Sequence, residues 1–336
     1  MKKIITFGEV LLRLSTPEYL RFTQAVNFNA DYGGSELNVA STLVNFGMDA
    51  EFVSRIPDND IGKSALMHIR KNGVSTNFIN SGGDRLGIYF LEKGASMRGS
   101  KVVYDRAFSS FSTLKKGMIN WEEVFKNASW FHWSGITPGI SQDAADVCFE
   151  AIEVAHKLGL TVSTDFNYRA NLWDYGKSPK EIMIKMVSLC DLILAGDYAA
   201  KQYFNLNPQG NSETELQVSL CEKLKLLFPK VKKIAITNRI ETNASQNKWS
   251  ALLYDGTNLL RSKVYDIPFI VDRIGTGDSF MGALIYGLNN FDDQKALEFA
   301  VAASCLKHTI YGDTNQISRE EVEKLLSGDG TGRVIR

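Results

Sequence analysis

Apolar positions along this chain follow two rhythms that alternate. Short unbroken runs, such as residues 3–7 before Gly8, fit strands buried on both faces. Residues 50–56, 161–165, 192–195 and 233–237 read the same way. Between them, apolar residues three and four apart predict helices at 35–46, 61–72, 142–158, 179–188 and 279–288. Gly47 and Gly73 terminate the first two. This alternation predicts an α/β fold, a mainly parallel sheet flanked by helices, in one domain over residues 1–336.

Two segments break the rhythm. Residues 10–33 are mixed and aromatic, with Leu12, Leu14, Tyr19, Phe22, Phe28 and Tyr32. Residues 85–112 hold two strand-like runs, 88–91 and 101–104, around a glycine-bearing turn. Together they predict a small antiparallel sheet standing off the main body, able to serve as a lid or a dimer surface. The glycine-rich tail 327–332 reads as loose.

Composition narrows the partners. Lys and Arg number 38 and Asp and Glu number 38, so no basic excess points to nucleic acid. No basic amphipathic stretch and no run of ~18 apolar residues points to a membrane. Gly8, Glu9 and Arg13 interrupt the first apolar stretch too early for a signal-peptide core. Cys148, Cys190, Cys221 and Cys305 are too widely spaced for a zinc site or a disulfide scaffold, and read as reduced thiols in a cytoplasmic protein. His68, His132, His156 and His308 show no metal-ligand spacing.

The chemistry concentrates near the C-terminus. Gly275, Thr276, Gly277 and Asp278 form a Gly-x-Gly turn feeding a helix on which Phe280, Leu284 and Leu288 share a face. The first amides of such a helix lack internal partners and, with the helix dipole, make an anion site. A carboxylate there repels a phosphate unless it has a task. Removing the proton from a hydroxyl that attacks the phosphate is such a task; capping the helix is the other reading. Two other phosphate motifs are absent. Ile61-Gly62-Lys63-Ser64 resembles the end of a P-loop, but Pro57 occupies its upstream glycine position. The third glycine of a dinucleotide fingerprint would fall at Phe280, which disfavours a dehydrogenase.

On these residues the chain resembles the ribokinase-like (PfkB) carbohydrate kinases. Asp272 to Asp278 is similar to that family's C-terminal signature, and Gly33, Gly34 and Asn38 to its N-terminal double-glycine signature. Within the family it resembles the subgroup acting on the sugar acid 2-keto-3-deoxy-D-gluconate. Glu36 and Asn38, the 103–109 strand with Tyr104 and Arg106, and Asp165, Asn167 and Arg169 match that pattern.

The resemblance implies a ribokinase-like fold with a β-sheet lid and ATP-dependent phosphorylation of a terminal hydroxyl. It implies Asp278 as base, with the anion hole at Gly275, Thr276 and Gly277. It implies substrate contacts from Gly34, Asn38, Tyr89, Tyr104, Arg106, Asp165, Asn167 and Arg169. Thr237, Arg239, Gly275, Gly277 and His308 fall on the ATP side. ATP and Mg²⁺ are the implied cofactors; a monovalent cation stays open, as do the metal ligands. A homodimer or higher homo-oligomer is expected. Arginines suit a sugar acid because a guanidinium fork matches a carboxylate. A surface ion pair is the alternative for each, and Arg106 adjoins Asp105.

One departure stands out. The family's Asn-x-x-Glu element, which helps organise the metal and phosphate region, falls on Gly196 and Ala199, with Asp197 beside them. That loss leaves open a sugar-binding regulatory protein with a decayed kinase site; a kinase for a neutral sugar such as fructose or tagatose is the other alternative.

Overall fold

The structure is a computed structural model describing residues 3–328. The tail expectation for 329–332 lies outside the described residues. Among the described residues ten strands form the main sheet. Its parallel centre runs, in spatial order, Lys233–Asn243, Leu192–Leu194, Thr161–Asp165, Ala128–Ser134, Lys3–Phe7, Ala50–Ile56 and Ile79–Ser81. An antiparallel hairpin partner, Gln246–Tyr254, closes one side and carries Leu259–Arg261 and Tyr265–Ile267.

Alternation along each strand feeds two cores, one per face. Ile4, Phe52 and Trp130 point into one, with the helix residues Leu37, Phe280 and Leu284. Ile5, Phe7, Val53, Phe131 and Trp133 point into the other, with Val147, Ile152 and Leu224. Burial on both faces is why these strands read as unbroken apolar runs.

The predicted helices form close to their expected bounds. Ser35–Asn45 begins at Gly34, and Asp60–Lys71 is capped by the Asn59 side chain on the amides of Ile61 and Gly62. Gln142–Lys157 is capped by Ser141 on the Ala144 amide, and Thr276–Asn290 starts at the glycine turn itself. The helices Ser35–Asn45 and Thr276–Asn290 pack closely enough that a Cβ on Gly282 would lie 2.8 Å from the Thr42 Cβ. Glycine at that position lets their N-termini share one site.

Four strands form the lid, in the order Asn29–Gly33, Leu11–Ser15, Gly87–Glu92 and Lys101–Asp105. It is not wholly antiparallel. Its two hairpins are antiparallel, but Leu11–Ser15 pairs parallel with Gly87–Glu92. The reason is topological: each hairpin is local, and the chain visits the main body between them, through Ser35–Asn45 and Ala50–Ile56. Among the described residues no helix is long and apolar enough to cross a membrane.

Candidate active site

The parallel strands end on one side in a cleft of about 430 Å³. Loops leaving Lys3–Phe7, Ala128–Ser134 and Thr161–Asp165 supply Glu9, Ile136, Asp165, Asn167 and Arg169. The lid contributes Leu11, Tyr89, Tyr104 and Arg106, while the two helix starts contribute Gly34, Ser35, Asn38 and residues 275–278. Ligand sites in open α/β sheets lie at this edge.

Asp278 sits where the two helix starts meet. Its Oδ1 accepts a hydrogen bond from Ser35 Oγ at 2.7 Å and its Oδ2 one from Asn38 Nδ2 at 2.7 Å. Asn167 Nδ2 donates in turn to Ser35 Oγ at 3.1 Å. Burial pushes the Asp278 carboxyl above the ordinary carboxylate range, the Asn38 and Ser35 bonds pull it back, and Asp313 pushes upward. A desolvated carboxylate held at both oxygens is a pre-aimed proton acceptor.

The turn before it is built for close approach. Gly275 adopts φ +79°, and a Cβ there would lie 2.0 Å from the Asp313 carbonyl oxygen. Among the described residues no side chain caps the helix it opens, so its first amides are left for a ligand. The Thr276 hydroxyl is turned inward, donating to the Arg273 carbonyl at 3.0 Å. Arg239 and Arg273 stand at this end of the cleft, with Arg239 over the Trp249 ring at 5.2 Å and paired to Glu241 at 3.7 Å.

Asp165 terminates its strand and accepts from the Asn167 amide at 3.0 Å. Burial, and then the nearby Asp278, push its pKa up to about 7. Asn167 is a non-glycine residue at φ +36°, a strained conformation that turns its side chain toward Ser35. Arg169 is exposed in the cleft, and its hydrogen bond among the described residues goes to the Tyr168 carbonyl at 3.2 Å.

Arg106 lines the cleft too, but Asp105 is not its partner. Asp105 pairs with Arg85 at 2.8 Å, whereas Arg106 is held by the buried Glu9 carboxylate, bonding through Nε at 3.0 Å and also through Nη2. Ser109 shares the same carboxylate. Tyr104 packs between Arg106 and Tyr89, its ring centroid 6.1 Å from that of Tyr89. The Tyr89 hydroxyl commits its one proton to Asp313, donating at 2.6 Å.

Two residues expected on the nucleotide side lie outside the cleft lining. The His308 ring has no exposed surface. It bonds to the Ser304 carbonyl at 2.8 Å and packs edge-on against Trp249, and burial pulls its pKa down to about 3. Its side chain lies outside the residues lining the cleft. Thr237 lies on its strand opposite Ala251, outside the residues lining the cleft.

Ser35, Glu36 and Arg13 take places at the site that the sequence reading did not assign them. Ser35 joins Asp278 to Asn167. Glu36 is buried and accepts from the Ser134 amide at 2.9 Å and Thr137 Oγ1 at 3.1 Å. Arg13 is fully buried and ties the lid to the glycine turn, bonding Asp272 at 2.5 Å and Asp313 at 2.6 Å. The expected Asn-x-x-Glu positions hold an exposed Gly196 and a buried Ala199, with Asp197 exposed in the first turn of its helix. No group of three or more His, Cys, Asp or Glu among the described residues could hold a metal ion.

Residues 1–319 match the family model described as pfkB family carbohydrate kinase. The chain is 44% identical to the crystal structure of 2-dehydro-3-deoxygluconokinase from Thermotoga maritima, covering 98% of this chain and all of that one with a TM-score of 0.94. A PfkB family carbohydrate kinase from Listeria grayi is 32% identical over 97% of this chain and all of its own, with a TM-score of 0.89. Among curated relatives, a 2-dehydro-3-deoxygalactonokinase of Haloferax volcanii is 29% identical over 98% of both chains. With a ribokinase-like sheet, a separate lid sheet and a family match over residues 1–319, the chain belongs to the pfkB family of carbohydrate kinases.

Proposed function

We propose that this chain is an ATP-dependent kinase for 2-keto-3-deoxy-D-gluconate (2-dehydro-3-deoxygluconate), acting on its terminal primary hydroxyl. The observation that carries the acid-sugar reading is Arg169, an exposed guanidinium without a carboxylate salt bridge among the described residues, in the same cleft as Asp278. A sugar carboxylate completes that guanidinium; a neutral sugar does not.

In this reading Asp278 takes the proton of the attacking hydroxyl. The amides of Gly275, Thr276 and Gly277 receive the charge that grows on the transferred phosphoryl group. Gly34, Asn38, Asp165 and Asn167 hold sugar hydroxyls, while Tyr89 and Tyr104 wall the substrate beneath the lid. Arg106, held by Glu9, is the second cation on the acid's side. Arg239 and Arg273 suit the phosphates of ATP. Mg²⁺ neutralises phosphate charge when it enters with ATP.

A second reading is the C4 epimer, 2-keto-3-deoxygalactonate, favoured by the Haloferax relative's name. The test is ADP release on a panel of 2-keto-3-deoxygluconate, 2-keto-3-deoxygalactonate, fructose and tagatose. The highest kcat/KM falls on 2-keto-3-deoxygluconate; a preference for a neutral sugar rejects the acid reading, and no turnover on any sugar favours a decayed site.

The lid supports a dimer. Its outer strand Lys101–Asp105 is exposed throughout, with Val102, Val103 and the nearby Phe108 open to solvent. Light scattering with size-exclusion chromatography gives twice the 37.5 kDa chain mass if this holds. Cys148, Cys190, Cys221 and Cys305 are all unpaired, which suits a reducing cytoplasm.

A further inference from the structure

Lys307 has no exposed surface and makes no ion pair among the described residues, an unusual state for a lysine. Its ammonium is surrounded by backbone carbonyls: Ile274 O at 2.9 Å, Gly312 O at 2.8 Å and Ile310 O at 3.3 Å. Three donors meet three acceptors, so the charged form satisfies every one of them. A neutral amine would aim its lone pair at an oxygen.

The carbonyls come from two loops. Ile274 immediately precedes Gly275, and Gly312 precedes Asp313, whose carbonyl oxygen bounds the space beside Gly275. Ser304, one turn earlier on the helix Asp293–Lys307, donates to the Thr276 carbonyl at 2.7 Å. The same helix thus grips the glycine turn twice, once with a hydroxyl and once with a cation. Asp272 and Asp313 lie close enough to favour the ammonium, although burial pulls its pKa below the ordinary lysine range.

We propose that Lys307 is a tethered internal cation that positions the anion hole. It draws the 274–275 and 310–313 loops together by their carbonyls, so the amides after Gly275 face the cleft in a fixed array. A ring of carbonyl oxygens of this kind would otherwise call for a soluble cation, and in this chain a side chain supplies it. The enzyme therefore needs no added monovalent cation for turnover. The inference rests on the kinase reading, and the wild-type assay separates the two: a chain that phosphorylates no sugar sinks that reading and says nothing against Lys307.

The experiment has two arms. Wild-type kcat is measured with K⁺ and with tetramethylammonium, too large for the ring, as the only monovalent cation. Equal rates are expected; a strong K⁺ requirement overturns the proposal, and this arm stands even where variants fold poorly. In the second arm Lys307→Ala and Lys307→Met are compared. Displacing the turn by even ~1 Å should lower kcat on the order of 100-fold with KM nearly constant. Added K⁺, ammonium or methylammonium should restore Lys307→Ala several-fold while leaving wild type unchanged. A folded Lys307→Ala with kcat within twofold of wild type, or a loss that no cation restores, overturns the assignment.

Discussion

Asp278→Asn is the substitution that isolates the proposed chemistry from the fold. The carboxylate is held by Ser35 Oγ and Asn38 Nδ2, each at 2.7 Å. An amide in its place keeps one oxygen to accept from Ser35 and turns an NH₂ toward the Asn38 NH₂. That clash is removable, because the buried Asn38 Oδ1 has no hydrogen-bond partner among the described residues and a flip of its amide restores a donor–acceptor pair. The stability change should stay near 1 kcal/mol, the size of one exchanged neutral hydrogen bond. What disappears is a base: general-base catalysis contributes about 10²–10⁴ in rate, or about 2.7–5.4 kcal/mol of barrier. The assay is steady-state ADP release with 2-keto-3-deoxygluconate, alongside a thermal melt. The expected result is a kcat lower by two to four decades, a KM within a few-fold and a nearly unchanged Tm. A kcat within threefold of wild type in a folded variant would falsify the base assignment.

Three further outcomes are expected. Arg169→Ala removes a charge-assisted contact of about 1.5–3 kcal/mol, so KM for the sugar acid should rise roughly 10- to 100-fold. Turnover of a neutral sugar should be almost untouched, and an equal effect on both would remove Arg169 from the carboxylate. Gly275→Ala places a methyl 2.0 Å from the Asp313 carbonyl oxygen at φ +79°. Activity should fall at least ~100-fold and stability by ~2 kcal/mol or more, and near-normal kinetics would show that the turn is not the anion site. Burial raises the Glu36 pKa from the ordinary 4.5 to about 7. The folded protein therefore favours the neutral form, and stability is lost as pH rises from 4.5 through about 7. That ionisation costs on the order of 3 kcal/mol. Glu36→Gln keeps both accepted hydrogen bonds, so its Tm should gain on wild type between pH 5 and pH 8; a pH-independent difference would refute the burial argument.

The main sheet was legible because its strands are buried on both faces and punctuated by glycines. Ala128–Ser134 lies at the sheet's centre yet carries polar and aromatic residues whose burial only the neighbouring strands explain, such as His132 beside Ser163 at 2.9 Å. Local pattern misleads in Leu11–Ser15, where Arg13 and Ser15 are buried while Leu12 and Leu14 are half-buried. The arginine faces inward because Asp272 and Asp313, some 260 and 300 positions away, neutralise it. Glu9 with Arg106, 97 positions apart, escaped notice for the same reason, since an adjacent Asp105 offered a nearer partner. The glycine turn, Asp278 and Asn38 were legible because they sit in short motifs. Ser35 lies inside one of those motifs, but its role, like that of Lys307, follows from contacts across the fold.

The most direct test of the account is the ³¹P NMR spectrum of the product formed from ATP and 2-keto-3-deoxygluconate. Transfer to the terminal primary hydroxyl predicts a phosphomonoester signal split into a triplet by two methylene protons, growing as ATP is converted to ADP. A doublet would put the phosphate on a secondary hydroxyl, and inorganic phosphate alone would mean hydrolysis without transfer. Either result contradicts the arrangement of Asp278 and the anion hole argued from this cleft.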